Sequence, residues 1–387
     1  MNRPQETAAP TAIDCPTDFV ARAHALGPGF AARVAAADDG DRFVAENFNE
    51  LKEAGLIAAG VPTDFGGGGA TITELCDMLR EVAHHCSSTA LAFAMHTHQV
   101  AIPAWRWQRQ QAAPVVPLLK RVAAEKLVLL SSGGSDWVAG SGQAQKVDGG
   151  YRITARKVFT SAAPIGDLLM TGAVWEEAPE GPSVLHFGIP MKSPHVKVLN
   201  NWKAMGMRGT GSHDVMIEGH VVPEEAVALK RRQGEWHPLF HIISMIAFPI
   251  IYAVYLGVAE TAREKAVAMA AKRRMSEHVV SLVGRLDTEL RAAQWAHAEM
   301  VRIAETAAPD AATTNEIMIG RTLVARHALA AVELAVEAAG GAGFYRDAGL
   351  ERLFRDIQGA RFHPMQQGPQ ATYAGRIALG LDVSTVF

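Results

Sequence analysis

The chain changes character twice along its length, and the two changes restrict it to helices, then sheet, then helices. Residues 17–125 place apolar side chains at helical spacing. FVARAHALGPGFAARVAAA and FVAENFNELKEAGLIAAG show it best, and a turn follows at Val61-Pro62. Gly66 to Gly69 can only be loop. Thr73 to Thr97 returns to helix, with Thr71 or Thr73 as its N-cap. Over 127–229 the segments become short and β-branched, separated by Gly, Pro, Asp or Asn: KLVLLSS, GGYRITARKVFTS, DLLMTGAVW, SVLHFGIPM, VKVLNNW and DVMIEGHVVP. Gly149-Gly150 marks a hairpin turn. Long alanine-rich segments then cover Tyr252 to Arg274, Ser281 to Thr306, Thr314 to Ala339 and about Ala371 to Leu379. Alanine carries the smallest helix penalty and lets helices pack closely. The expected fold is α+β. It has a loose tail over 1–16, an N-terminal helical domain over 17–125, a central antiparallel β-barrel over 126–232 and a C-terminal four-helix bundle over 233–387.

Composition narrows the function classes. With 387 residues, 49% hydrophobic and 20% charged, the chain can bury a large core in two or three domains. A net charge of −3 offers no excess positive field for nucleic acid. No apolar run approaches the length that crosses a bilayer. The longest, Ile242 to Val258, holds Ser244, Pro249 and two tyrosines, and reads as the start of a buried helix, so no membrane partner is expected. The N-terminal residues lack the apolar stretch of a signal peptide. Cys15, Cys76 and Cys86 form no spaced pattern, which suggests a reducing cytoplasm. His84, His85, Cys86 and His98 match no usual ligand spacing, so no metal is expected.

Six segments stand in a definite order: NELKEAGLIAAGVPTDFGGGG, SSGGSD, RKVFTSA, MGMRGTGS, AAGGAGF and LFRDIQGARFHP. Together they resemble the acyl-CoA dehydrogenase superfamily over about residues 40–382. The resemblance implies a flavin between sheet and bundle, FAD first and FMN as the alternative, and a homotetramer built through the bundles. It places backbone contacts to the flavin at Leu130 and Ser131, with Ser135 in the loop beyond. Phe159 takes the position of the family's flavin-stacking Trp, next to Thr160, and Ser161 that of a hydroxyl residue near N5. An ordinary strand would instead put Phe159 inside the sheet core. At the dinucleotide end, Gly340, Gly341 and Gly343 match Gly-Gly-x-Gly, where backbone approaches a phosphate. Arg273 falls at the pyrophosphate-binding position. Ser276 and Glu277 replace the Phe and Gly that normally follow.

The family's catalytic carboxylate is missing. Counting from Arg355-Asp356 places Pro364 there, or Gln366 or Gln367 after a small shift. The alternative position holds Ala247. None of these is a base. The usual CoA-binding Asp and Arg are also absent from HIISMIAFPII, where Met245, Ile246 and Phe248 read as an apolar wall of the substrate pocket. His363 follows Arg355 by eight residues, a spacing seen in the superfamily's flavin monooxygenases, and His96 resembles a histidine on their N-terminal helices. Histidine titrates near neutrality and suits acid–base work. Three readings follow. The first is a dehydrogenase of an acyl thioester or related activated acyl group with a non-standard base. The second is a two-component monooxygenase oxidising an apolar or aromatic substrate, with His363 as acid–base group. The third is a catalytically silent partner protein. Either enzyme needs an electron-transfer partner or a flavin reductase.

Overall fold

The computed structural model describes residues 18–133, 136–272 and 276–386. The expected tail over 1–16, Ser135 and Arg273 lie outside them. The N-terminal helices are α1 (Phe19–Asp39), α2 (Ala45–Glu53), α3 (Ile72–His85), α4 (Ser87–Gln110) and α5 (Val116–Glu125). Of the two candidate caps, Thr71 starts α3. Its hydroxyl accepts from Glu74 N, and the Glu74 carboxylate accepts from Thr71 N in return, a reciprocal capping box.

The strands are β1 (Leu129–Ser131), β2 (Gln143–Val147), β3 (Gly150–Thr160), β4 (Leu168–Trp175), β5 (Ser183–Pro190), β6 (Val196–Val198), β7 (His213–Pro223) and β8 (Leu229–Arg232). Val147 pairs with Gly150, so Asp148-Gly149 is the hairpin turn between β2 and β3, with Gly149 at φ +73°. The spatial order is β6-β7-β3-β2-β4-β5-β8, with β1 beside β4. This corrects the expected antiparallel barrel. The sheet is mixed, because β1 and β2 both run parallel to β4. It is also not closed, because β6 and β8 remain its two ends. Alternation along a strand fixes which face is buried but not which strands pair, and β1 takes its direction from where α5 delivers the chain.

The C-terminal helices are α6 (Leu239–Ala270), α7 (Glu277–Thr306), α8 (Ala311–Ala339), α9 (Leu350–Ile357) and α10 (Gln367–Ala378). The long helices α6, α7 and α8 pack on one another, α9 rests on α6 and α8, and the twelve-residue α10 lies against α8. Helix α6 runs through Pro249 and begins well before the expected Tyr252. It is long and apolar enough by composition to cross a membrane, contrary to the expectation from sequence, but 94% of its most apolar stretch is buried inside the protein. It is a core helix, packed against α3, α4, α7 and α8.

Candidate active site

The expected site residues fall into two groups, one on the sheet and one on the bundle. On the sheet side, Tyr151, Ile153, Ala155 and Lys157 alternate inward along β3 until a register break between Lys157 and Thr160. At the break Phe159 adopts φ +55° and leaves the sheet core, with 59% of its surface exposed. Phe159 is therefore not packed inside the sheet. Trp202 meets it edge-on, with ring centroids 5.9 Å apart. Ser161 Oγ lies 2.8 Å from Ser212 Oγ, which lies 2.7 Å from Thr210 Oγ1. Thr160 Oγ1 is buried with no hydrogen-bond partner among the described residues. The Leu130 side chain is in the core, so β1 has its backbone to offer there, and Ser131 is half-buried.

Sequence reasoning missed Lys157. Its ammonium is wholly buried and donates to Asp136 (3.1 Å), the Ser141 carbonyl (2.8 Å) and the Gly172 carbonyl (2.6 Å). These bonds tie the loop after β1 to the strand that presents Phe159. The signal was available, since strict alternation from Tyr151 puts position 157 inside.

On the bundle side, His363 Nε2 lies 2.7 Å from Tyr255 Oη on α6. Tyr252 and Tyr255 flank the imidazole at centroid distances of 6.5 and 5.6 Å. Arg321 of α8 is 1% exposed. Its Nη2 donates to the Ala360 carbonyl (3.0 Å) and the His363 carbonyl (2.9 Å), and its guanidinium lies over the Tyr252 ring. Among the described residues no carboxylate pairs with it, and its Nε has no partner. His363 keeps part of its surface open, yet its ring is closely surrounded. Burial first, then the charges of Arg321 and His98, push its pKa down to about 3. Burial pushes the Tyr255 hydroxyl well above its usual range. Both groups are neutral near pH 7. Tyr255 Oη has no other acceptor among the described residues, so its proton goes to Nε2 and the imidazole proton sits on Nδ1. Nδ1 has no protein partner among those residues and remains available as a donor.

His96 has a different place. Its Nε2 donates to the Ile57 carbonyl (2.8 Å), and its Nδ1 accepts from Leu129 N (3.0 Å). Burial pushes its pKa down to about 4. With both nitrogens engaged it has none left for proton transfer, which corrects the acid–base expectation. His96 instead tethers β1 to α4 and the turn Leu56–Ala58. His98, on another face of α4, is the histidine whose charge acts on His363. Met245 and Phe248 are fully buried, and Phe248 packs on Trp137 and Tyr252, so they belong to the core of α6 and do not form an open wall.

One loop joins the two groups. Trp202 Nε1 donates to the Met207 carbonyl, and Met207 N donates to Asp356 Oδ1 of α9. Ser87 donates to the other Asp356 oxygen, and Arg355 reaches Asp38 and the Met205 carbonyl. Gly206 lies directly on α9, since a Cβ there would stand 2.1 Å from the Arg355 carbonyl oxygen. At the far end of α8, Gly340 takes φ +65° and Gly341 is open, with nothing within 4 Å of where a Cβ would be. Phe344 and Tyr345 follow, 85% and 73% exposed.

Residues 26–118 match the family model of the acyl-CoA dehydrogenase N-terminal domain, and residues 250–367 that of the acyl-CoA dehydrogenase C-terminal domain. The chain is 27% identical to the amino sugar nitrososynthase DnmZ of Streptomyces peucetius, over 86% of each sequence. It is 27% identical to a pigment production hydroxylase of Rhodococcus sp., over 95% of this chain and 98% of the relative. A solved structure of KijD3, in complex with FMN and a dTDP-linked amino-keto sugar, superposes with a TM-score of 0.87. That pair is 23% identical, with 97% of this chain and 96% of the other covered.

Proposed function

Because the chain belongs to the acyl-CoA dehydrogenase superfamily, we propose that it is a flavin-dependent monooxygenase that receives reduced FMN from a separate reductase and oxygenates a small organic substrate. The observation that carries this reading is the His363–Tyr255 pair. A thioester dehydrogenase needs a carboxylate base. Ala247 and Pro364 supply none, and His363 offers a neutral imidazole whose Nδ1 has no protein partner among the described residues. A nitrososynthase and a hydroxylase among the relatives support oxygen transfer over thioester oxidation.

A flavin ring fits the sheet side. Phe159 and Trp202 offer apolar ring surface, Thr160 Oγ1 is a buried hydroxyl without a partner among the described residues, and Gly133, just after β1, brings backbone against Val158 and Phe159. FMN is preferred to FAD on two grounds. KijD3 binds FMN, and Ser276 and Glu277 depart from the family's adenine-side pattern. Reduced FMN supplies the electrons that activate oxygen for transfer. The residues do the rest. His96 and Lys157 hold the ring-facing segments, and His363 Nδ1 donates to negative charge developing at the reacting centre, as a neutral imidazole can. The exposed turn Gly340–Phe344 is where we place a neighbouring chain, in a homotetramer that shares its phosphate sites.

The test couples the protein to a flavin reductase and follows oxygen-dependent product formation. His363→Ala is expected to retain FMN binding and lose roughly 10²–10⁴-fold in turnover. Rapid flavin reduction by an acyl-CoA, with His363→Ala no slower than wild type, would overturn the proposal in favour of the dehydrogenase reading.

A further inference from the structure

On the outer face of the N-terminal helices, α1 and α3 bring two imidazoles onto one carboxylate oxygen. His24 Nδ1 lies 2.7 Å and His85 Nε2 3.0 Å from Glu81 Oε1, and the three ligand atoms fall within 4.8 Å of one another. Glu81 and His85 stand one turn apart on α3, and His24 arrives from α1. Nitrogen and oxygen ligands held at about 2.0–2.2 Å from one ion lie roughly 3–3.5 Å apart at tetrahedral or square angles. The two separations from Glu81 Oε1 need only a small outward movement to admit one.

Two further observations show that this geometry is built. Gly27 sits inside α1, where glycine is destabilising relative to alanine. A Cβ at this position would stand 2.3 Å from His85 Nε2, so the missing side chain is the space the ligand nitrogen occupies. Behind the cluster, His84 Nδ1 faces Glu81 Oε2 at 3.4 Å while its Nε2 bonds Glu260 at 3.0 Å, and Glu260 is gripped by Arg80 and Gln294. Such an outer layer orients a ligating carboxylate.

We propose that the seam between α1 and α3 binds one divalent transition-metal ion of the zinc class through His24 Nδ1, a Glu81 carboxylate oxygen and His85 Nε2, clamping α1 onto α3. Two nitrogens and one oxygen suit Zn²⁺ or Co²⁺ rather than Mg²⁺ or Ca²⁺, which take all-oxygen sets. A fourth position opens to water on the exposed side of His24. Each ring gives up the hydrogen on its ligating nitrogen, to its other nitrogen or to water, when the ion binds, so no redox partner is involved. The histidine–cysteine run 84–86 hid the site in the sequence, because the third ligand comes from another helix.

The test titrates Co²⁺ into tag-free, chelator-treated protein and reads the visible d–d bands and the thermal midpoint, followed by Zn²⁺ competition. Expected are one ion per chain, displacement by Zn²⁺ and a raised midpoint. His24→Ala, an exposed position that leaves the fold intact by circular dichroism, should abolish binding, as should Glu81→Gln. His84→Ala should weaken it about tenfold. Absence of d–d bands at stoichiometric Co²⁺, or equal binding by wild type and His24→Ala, would overturn the assignment.

Discussion

Replacing Tyr255 with Phe removes one oxygen and keeps the ring, so its effect can be worked from the geometry. The phenyl ring still fills the space between Tyr252 and His363, at centroid distances of 5.5 and 5.6 Å. What disappears is the 2.7 Å bond to His363 Nε2. A hydrogen bond between buried neutral groups contributes about 1 kcal/mol, so unfolding stability should fall by about that much. The same bond biases the imidazole toward its Nδ1–H form. Since 1.4 kcal/mol corresponds to tenfold, its loss should shift the tautomer ratio by roughly fivefold. Turnover should then fall by about two- to tenfold, far less than for His363→Ala. Nitrogen-15 spectra of the ring read the tautomer, denaturant unfolding reads the stability, and the reductase-coupled assay reads turnover. A loss equal to that of His363→Ala would refute the reasoning, because Tyr255 would then be transferring a proton itself. An unchanged tautomer ratio would refute it from the other side.

The buried histidines predict acid lability. Burial pushes His96, His98 and His297 down to about 4, below the ordinary value of 6.5. The unfolded chain therefore takes up these protons first, and the stability present above pH 6.5 is lost as pH falls toward 4. Each group contributes at most about 1.4 kcal/mol per pH unit. Urea unfolding at pH 7.5 and 5.5 measures the slope, and equal midpoints would contradict it. Two glycines give a steric contrast. Gly206→Ala drives a Cβ to 2.1 Å from the Arg355 carbonyl and should cost about 2–3 kcal/mol, whereas Gly341→Ala meets open space and should stay within about 0.5 kcal/mol. Thermal melts of the two variants compare them directly, and equal losses would mean that the 205–207 loop is free to move off α9.

The order of domains was legible because helical and strand patterns are local properties of the sequence. The start of α6 was not. The alanine-rich pattern is clear only from Tyr252, yet the helix starts at Leu239 and continues through Pro249, buried on nearly every side, with His297 Nε2 bonded to the Pro249 carbonyl. Sheet closure was illegible because pairing partners such as Leu129 and Leu168 are far apart in sequence. In the site, the resemblance to the superfamily's flavin monooxygenases picked out His363. Tyr255 and Arg321 stand 108 and 42 residues away from it, and only packing of the bundle brings them there. Their one trace in the sequence is oddness of type: tyrosines in an apolar run, and an arginine in an alanine-rich helix. Choosing between His96 and His98 was beyond the sequence, since two steps along a helix turn a side chain by about 200°.

Arg321 gives the missing carboxylate a physical meaning. A buried guanidinium without a counter-charge favours any anion near it and disfavours any cation. A Glu in this region of the scaffold would be held ionised and ready to accept a proton. An imidazole is affected in the opposite sense: burial first, and then this charge, drive His363 down to about 3, and it stays neutral through the physiological range. Tyr255 then fixes its proton on Nδ1. The same buried charge that would make a base of a carboxylate makes a hydrogen-bond donor of His363. A donor serves chemistry in which negative charge builds up on oxygen, whereas thioester dehydrogenation begins with removal of a proton from carbon. The absent carboxylate and the buried Arg321 therefore bear on the proposed function in the same direction, toward oxygen transfer.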